Sequence, residues 1–394
     1  MRVAMRAHRG RRPLKSLPLA AVVLVWLFTS GTESADSRQA STAGAAPAAR
    51  VATPPTDSWA DAASLSEHRV AAEGRALFAS SEPLVFTLMA DFNAVQRDRA
   101  LTSTTTFPAT AVVSSIGGGD QSFPLRIRTR GNSRRKPGLC TFAPLRLEFD
   151  ANPVGTVFEG HTDLKLGTHC RDTDLFEEYV LREYAVYRMH NVLTPRSFRA
   201  RLAHVRYVDA KSKKVVAARA GLFIEDDDDV ARRLEGRASN MLRVPFFRTD
   251  MDTTMLMTLF EYMIGNTDMS ILALHNVRLV ETPSGGFFPI PYDFDSSGVV
   301  NARYARPGPQ LRLASVRERL YRGPCRTGQQ LEEYFTRFRA ARAEMLGVYD
   351  KVPNMNRQYV REARAYLDEF FRTITRPDRV TRAFIDGCGG RAGM

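Results

Sequence analysis

Two short segments past the middle of this 394-residue chain hold its densest chemistry. The first is Gly265-Asn266-Thr267-Asp268, followed by His275-Asn276. The second, one strand-like run later, is Pro289-Ile290-Pro291-Tyr292-Asp293-Phe294-Asp295-Ser296-Ser297-Gly298. Together they offer one acid, one amide and two further acids on loops joined by a hairpin-like stretch. Phosphoryl transfer asks little more of a protein. A carboxylate orients the hydroxyl nucleophile, and amide and carboxylate oxygens hold Mg²⁺ on the phosphates. A calcium loop is the rival reading, since Asp293, Asp295, Ser297 and Gly298 open like half an EF-hand. It fails at Phe294 in the second position and at Tyr304 in the twelfth, where a bidentate Glu is needed.

The elements that must carry these loops read as follows. Leu84 to Ala90, Ala111 to Ser115, Phe123 to Arg130, Leu145 to Phe149 and Leu164 to Leu166 are strand-like. In Phe123 to Arg130, Leu125 and Ile127 alternate with Arg126 and Arg128, the mark of a half-buried strand. The turn Arg130-Gly131-Asn132-Ser133-Arg134-Arg135-Lys136 is crowded with cations. Asp174 to His190 has helical spacing behind good helix-start residues. Ala203 to Asp209 and Ala217 to Glu225 form a hairpin, and Asp226 to Asp229 reads as a solvated acidic loop. Thr253 to Ile264 is helical, Val277 to Val280 and Phe287 to Ile290 make a second hairpin, and Gln329 to about Arg372 is an amphipathic helical tail. Strands in sequence followed by helices predict an α+β fold with an antiparallel sheet in a first lobe and a mostly helical second lobe. That is the two-lobed layout of a protein kinase.

The N-terminus is of another kind. Arg2, Arg6, Arg9, Arg11, Arg12 and Lys15 precede an apolar run, Leu17 to Phe28, and small residues follow. Residues 1–35 read as a signal peptide, the run being short for a membrane span, so no transmembrane helix is expected in the mature chain. Residues 36–80 are rich in Ala, Ser, Thr and Pro and read as a disordered linker. The formal net charge is +13, and without the signal the chain stays basic by roughly seven or eight charges. The arginines are dispersed, with no basic stripe interleaved with aromatics, so nucleic acid is not expected as a partner. Four cysteines in an exported chain predict two disulfides, with Cys140–Cys170 and Cys325–Cys388 favoured because each pair lies within one half of the mature protein.

Taken in order, Arg130-Gly131-Asn132-Ser133, Leu164-Lys165-Leu166, Gly221-Leu222-Phe223-Ile224-Glu225, Gly265-Asn266-Thr267-Asp268 and Pro291-Tyr292-Asp293-Phe294-Asp295 resemble the successive motifs of the CotH family, the spore-coat-protein-H-like atypical kinases. The resemblance spans about 82 to 350. It implies a kinase domain over 81–394, with lobes of about 81–225 and 226–394. It also implies ATP with Mg²⁺ or Mn²⁺ as cofactors and phosphorylation of a hydroxyl on an acceptor protein in the envelope or outside the cell. On this likeness Asp268 is the catalytic aspartate. Asp295 is the principal metal ligand, with Asp293 second and Asn276 third. Lys165 meets the phosphates, with Glu183 preferred over Glu178 as its helix partner. The cationic turn of Arg130, Arg134 and Lys136 reads, from its residues, as a side-chain cover for the phosphates, and on the likeness Glu225 marks the connection at the adenine. Asn276 departs from the kinase pattern, lying eight residues past Asp268 because of an insertion around Ile271-Leu272-Ala273-Leu274. His275 reads as a packing or loop residue. The rival functions are a catalytically inactive binding or structural protein of the envelope, and a metal-dependent phosphohydrolase.

Overall fold

Apolar alternation drives the first half of the chain into strands. β1 (Leu84–Ala90) turns Leu84, Phe86, Leu88 and Ala90 inward and its other residues outward. It pairs antiparallel with β2 (Phe107–Ser114), which pairs in turn with β3 (Asp120–Thr129). β4 (Leu145–Glu148) and β5 (Asp163–Gly167) continue the meander. A helix then intervenes before the hairpin of β6 (Ala200–Asp209) and β7 (Val215–Ile224). β7 joins β5 antiparallel, while β6 lies parallel to β1, from Leu84 opposite Ala203 to Ala90 opposite Asp209. The ring closes in the order β1-β2-β3-β4-β5-β7-β6. Closure leaves no open sheet edge. Phe86, Phe158 and Phe223 fill the interior edge to face, with ring centroids 5.4 to 5.6 Å apart.

This computed structural model describes residues 58–114, 118–136, 138–386 and 388. The predicted signal peptide and the linker up to residue 57 lie outside them. α1 (Ala62–Glu73) packs against the helix that follows β7, α2 (Phe92–Arg97) lies against β3, and α3 (Asp174–Leu193) packs on β6 and β7. α4 (Asp227–Arg233) leads to β8 (Arg237–Ser239) and then α5 (Met251–Ile264). β9 (Val277–Glu281) and β10 (Phe287–Pro291) complete a three-stranded sheet with β8. α6 (Gly328–Lys351), α7 (Arg357–Ile374) and the short α8 (Pro377–Val380) close the chain. One core runs from α3 through α5 to α6 and α7, including Tyr187, Phe260, Phe294, Phe335, Phe338 and Phe370. Disulfides join Cys140 to Cys170 and Cys325 to Cys388, as the sequence predicts. From Ser58 onward the chain is one compact unit. Among the described residues no helix is long and apolar enough to cross a membrane.

Three expectations are corrected. The two-lobed kinase fold with an antiparallel first-lobe sheet gives way to a closed seven-stranded mixed barrel. Its parallel β1–β6 seam joins strands more than a hundred residues apart, which a reading of neighbouring strands does not reach. The structureless linker over 36–80 contains α1. Asp61 caps it by accepting from Ser64 N at 2.8 Å, and Arg199 donates to its last carbonyls, Ala72 O at 2.6 Å and Glu73 O at 3.0 Å. The acidic loop is instead the start of α4, with Asp226 as its cap and three acids in its first turn, where the helix dipole favours them.

Candidate functional site

The first loop follows α5, which stops at Gly265 in the left-handed conformation, φ 68°. A Cβ there would collide with the Tyr366 hydroxyl, so glycine is required twice over. The Asn266 side chain accepts from Asp268 N at 3.0 Å and folds the turn. Arg322 donates to the carbonyls on either side of Asp268, Thr267 O at 2.8 Å and Met269 O at 2.5 Å. Below the loop, the carboxyl of Glu261 is buried, and burial pushes its pKa up to about 8. The inserted residues do not displace Asn276. Ser270 and His275 exchange backbone hydrogen bonds of 2.9 and 3.0 Å, so Ile271 to Leu274 close into a turn and the chain returns to Asp268. Asn276 Nδ2 then donates to Asp268 O at 2.7 Å and to Asp268 Oδ2 at 3.2 Å. His275 Nε2 lies 2.9 Å from Asp268 Oδ1, and that hydrogen bond raises the His275 pKa. His275 therefore binds the acid rather than only filling the loop.

The second loop is brought to the first by the hairpin. Tyr292 N donates to Asn276 O at 3.0 Å, one step beyond the pairing of Val277 with Pro291. Asp293 follows with φ 62°, a strained backbone for a residue with a Cβ, and its N–H donates to the Tyr187 hydroxyl at 2.9 Å. Arg134 reaches in from the cationic turn after β3. Its Nε is 3.3 Å from Asp295 Oδ2 and its Nη2 3.6 Å from Asp293 Oδ1. Tyr304 donates to Asp295 Oδ2 at 3.1 Å and Ser296 Oγ to Asp295 Oδ1 at 3.2 Å. Both Asp295 oxygens are thus engaged. Glu183 of α3 is buried in the same cluster, with Oε1 lacking a hydrogen-bond partner. Burial raises the pKa of Glu183 and of Asp295. Burial alone would lower Arg134, but Asp295, Tyr304, Glu183 and Asp293 outweigh it and hold the guanidinium charged.

Lys165 lies on β5, as predicted, but its partner is not Glu183. Its ammonium binds Asp227 and sits 5.4 and 5.7 Å from the ring centres of Phe198 and Tyr292. Arg278 shares the same acid, Nε to Asp227 Oδ2 at 3.0 Å. Burial costs Lys165 more than Asp227 returns, and its pKa is lowered. Arg130 has no ion pair among the described residues, yet its charge acts on Lys165, Glu183, Tyr187 and Tyr292. Glu225 stands apart. It is fully buried, accepts from Arg199 N at 2.9 Å, and pairs with the side chains of Arg199 and Arg233 at 2.7 and 2.8 Å. Its side chain ties α4 to the barrel and to the residues that hold α1.

The structure therefore gathers Arg130, Arg134, Lys165, Glu183, Asp268, Asn276, Asp293 and Asp295 around the end of one hairpin and leaves Glu225 to hold the fold. Sequence reasoning missed Asp227, Arg322, Glu261, Tyr187 and Tyr304. Only Asp227 carried a signal, as part of a four-acid run. Among the described residues no three His, Cys, Asp or Glu side chains gather into a metal cage. Mg²⁺ does not require one, since it is commonly held by one or two carboxylates together with substrate phosphates. Asp293 suits that role, with its side chain 34% exposed. Asp295, 10% exposed and engaged on both oxygens, does not in this arrangement. No protein-family model matches the chain, and no curated protein matches it.

Proposed function

We propose that this chain is an exported phosphotransferase that passes a phosphoryl group from a nucleoside triphosphate to a hydroxyl of an acceptor protein. One observation carries the reading. The Tyr292–Asn276 backbone bond sets the Asp268 loop and the Asp293 loop side by side, with Arg130 and Lys165 at the same place. A solvent-accessible carboxylate for a hydroxyl, a second for a divalent cation and cations for phosphate are what this transfer uses. Asp268 is half-exposed, and His275 and Asn276 fix its orientation. It orients the acceptor hydroxyl and takes up its proton. Arg130 and Lys165 bind the phosphates as cations. Asp293 and Asn276 would hold the Mg²⁺ or Mn²⁺ that accompanies the nucleotide, which would neutralise phosphate charge, and the nucleotide would supply the transferable group and leave as its diphosphate. Export by the N-terminal segment belongs to the same proposal, and the two disulfides agree with an oxidising destination.

A second reading has an observation of its own. Arg134 already neutralises Asp293 and Asp295, and an acid cluster satisfied from within suits a binding protein of the envelope that performs no transfer. Purified protein incubated with γ-labelled ATP and Mg²⁺ or Mn²⁺ separates the two. Label on protein hydroxyls supports transfer. Free phosphate alone indicates hydrolysis, and no turnover with retained partner binding favours the second reading.

A further inference from the structure

The turn inserted between Asp268 and Asn276 also builds a surface. Arg243 N donates to Leu272 O at 2.8 Å, which lays residues 241–248 alongside the turn. Leu272 and Met241 are exposed, Leu242 is 61% exposed and Phe247 84% exposed. These apolar side chains are held on a firm base. Val244, Met269, Ile271, Val277, Leu279 and Phe287 form a small core beneath them, with Phe246 and Leu274 packed against it. Water-facing leucine, methionine and phenylalanine on a braced surface mark an interaction site. The charge left over beside them is positive. Arg243 and Arg248 are exposed and have no ion pair among the described residues. The neighbouring acids are taken, Asp250 by Arg196, Asp252 by Arg196 and Arg337, and Asp268 by His275.

We infer that this surface docks an extended segment of a partner protein in which apolar residues are flanked by Asp or Glu. Phe247 and Leu242 supply the apolar contact, and Arg243 and Arg248 select the acidic flanks. Because Leu272 belongs to the loop that carries Asp268, a docked segment is delivered beside that carboxylate. Identification of the partner as the phosphate acceptor rests on the phosphotransferase reading, whereas the docking does not.

The test uses the full chain, without nucleotide, and a fluorescein-labelled peptide of roughly twelve residues, long enough at about 3.3 Å per residue to cross the patch. The peptide carries Leu and Phe flanked by Asp and Glu around one Ser, and its control replaces every acid with Lys. Fluorescence polarisation is expected to give saturable binding of the acidic peptide, at least about tenfold tighter than the basic one. The Leu242→Ser/Phe247→Ser variant is expected to lose about tenfold or more with an unchanged unfolding midpoint, since both side chains face solvent. Arg243→Glu narrows the preference for the acidic peptide. Equal binding of the two peptides, or unchanged binding by the double variant, overturns the inference. So does a dimer in sedimentation that Phe247→Ser dissociates, since the patch would then be covered by a second copy. Phosphate on the peptide Ser is read separately. A peptide bound through this patch yet never phosphorylated, with ATP and Mg²⁺ present, upholds the docking and overturns the phosphotransferase reading.

Discussion

Replacing Arg134 with Met removes a cation that Asp293 and Asp295 share while keeping much of the side-chain volume. Arg134 and Asp295 are both close to fully buried, and their charged atoms are 3.3 Å apart. At an effective dielectric of about 20 that attraction is about 5 kcal/mol. Stripping one partner from a buried pair generally costs about 3–5 kcal/mol, because the other charge is left uncompensated. The variant is therefore expected to lose about 3–5 kcal/mol at mildly alkaline pH. The loss should shrink in acid, for a reason with a definite sign. Burial holds Glu183 and Asp295 above their ordinary values, so the folded state keeps protons that the unfolded chain releases. Stability from such groups is present in full below the unfolded pKa and is lost as pH rises through the folded one. Without Arg134 both folded values rise further, and the variant regains stability on acidification by taking up protons. Urea unfolding with the disulfides intact, at about pH 8 and about pH 5, reads the difference. A loss below about 1 kcal/mol at the higher pH, or an equal loss at both, would refute the placement of Arg134 as the counter-charge of this cluster.

Asp268→Asn is expected to leave nucleotide affinity nearly unchanged and to cut phosphoryl transfer by roughly a hundredfold or more, the range for a lost general base. A parallel loss of nucleotide binding would make Asp268 a metal or structural residue. Asp293→Asn should weaken Mg²⁺-dependent nucleotide binding more than Asp295→Asn, since the Asp293 carboxylate is the more accessible of the two, and calorimetric titration compares them. Glu261→Gln should match wild type in acid and become the more stable form as pH rises. Burial lifts Glu261 from 4.5 to about 8, so wild type loses stability across that interval and the amide does not; parallel melting curves from pH 5 to pH 9 would count against this. Breaking Cys325–Cys388, with a sequence separation of 63, should cost about 4 kcal/mol, slightly more than breaking Cys140–Cys170, with a separation of 30. Urea midpoints of the two double-alanine variants check the order.

What could be read from the sequence was local. Leu84–Ala90 is the strand its apolar run predicts, to the residue, and Gly265 ends α5 where a left-handed cap belongs. The two disulfides each join cysteines within one half of the mature chain, the pairing the sequence favours. What could not be read was set by distance. The β1–β6 seam joins Leu84 to Ala203, and no periodicity within either strand encodes the other. α1 escaped because its stripe is weak. It is held by a cap and by Arg199 and Arg75, the latter through Asp229, rather than by an apolar face of its own. The acidic run misled because four like charges look solvated. Three of them in fact have set tasks: Asp226 caps α4, Asp227 binds Lys165 and Arg278, and Asp229 binds Arg75 and Arg232.

Barrel closure also explains why Lys165 meets Asp227 and not Glu183. β5 is flanked by β7, with Lys165 in register with Ile224, so the chain leaving β7 passes directly over Lys165 and delivers the start of α4 to it. Glu183, on the helix packed outside β6 and β7, faces the cationic turn after β3 instead. On the proposed phosphotransfer, Lys165 meets the phosphates already carrying an internal counter-ion, while Arg130 has no ion pair among the described residues. An incoming phosphate has to displace Asp227 from Lys165 but can meet Arg130 directly. Asp227→Asn is therefore expected to tighten nucleotide binding, and Arg130→Gln to weaken it more than Lys165→Gln does. Calorimetry on the three variants measures this, and a larger loss at Lys165 would mean that the Lys165–Asp227 pair opens at little cost when the ligand arrives.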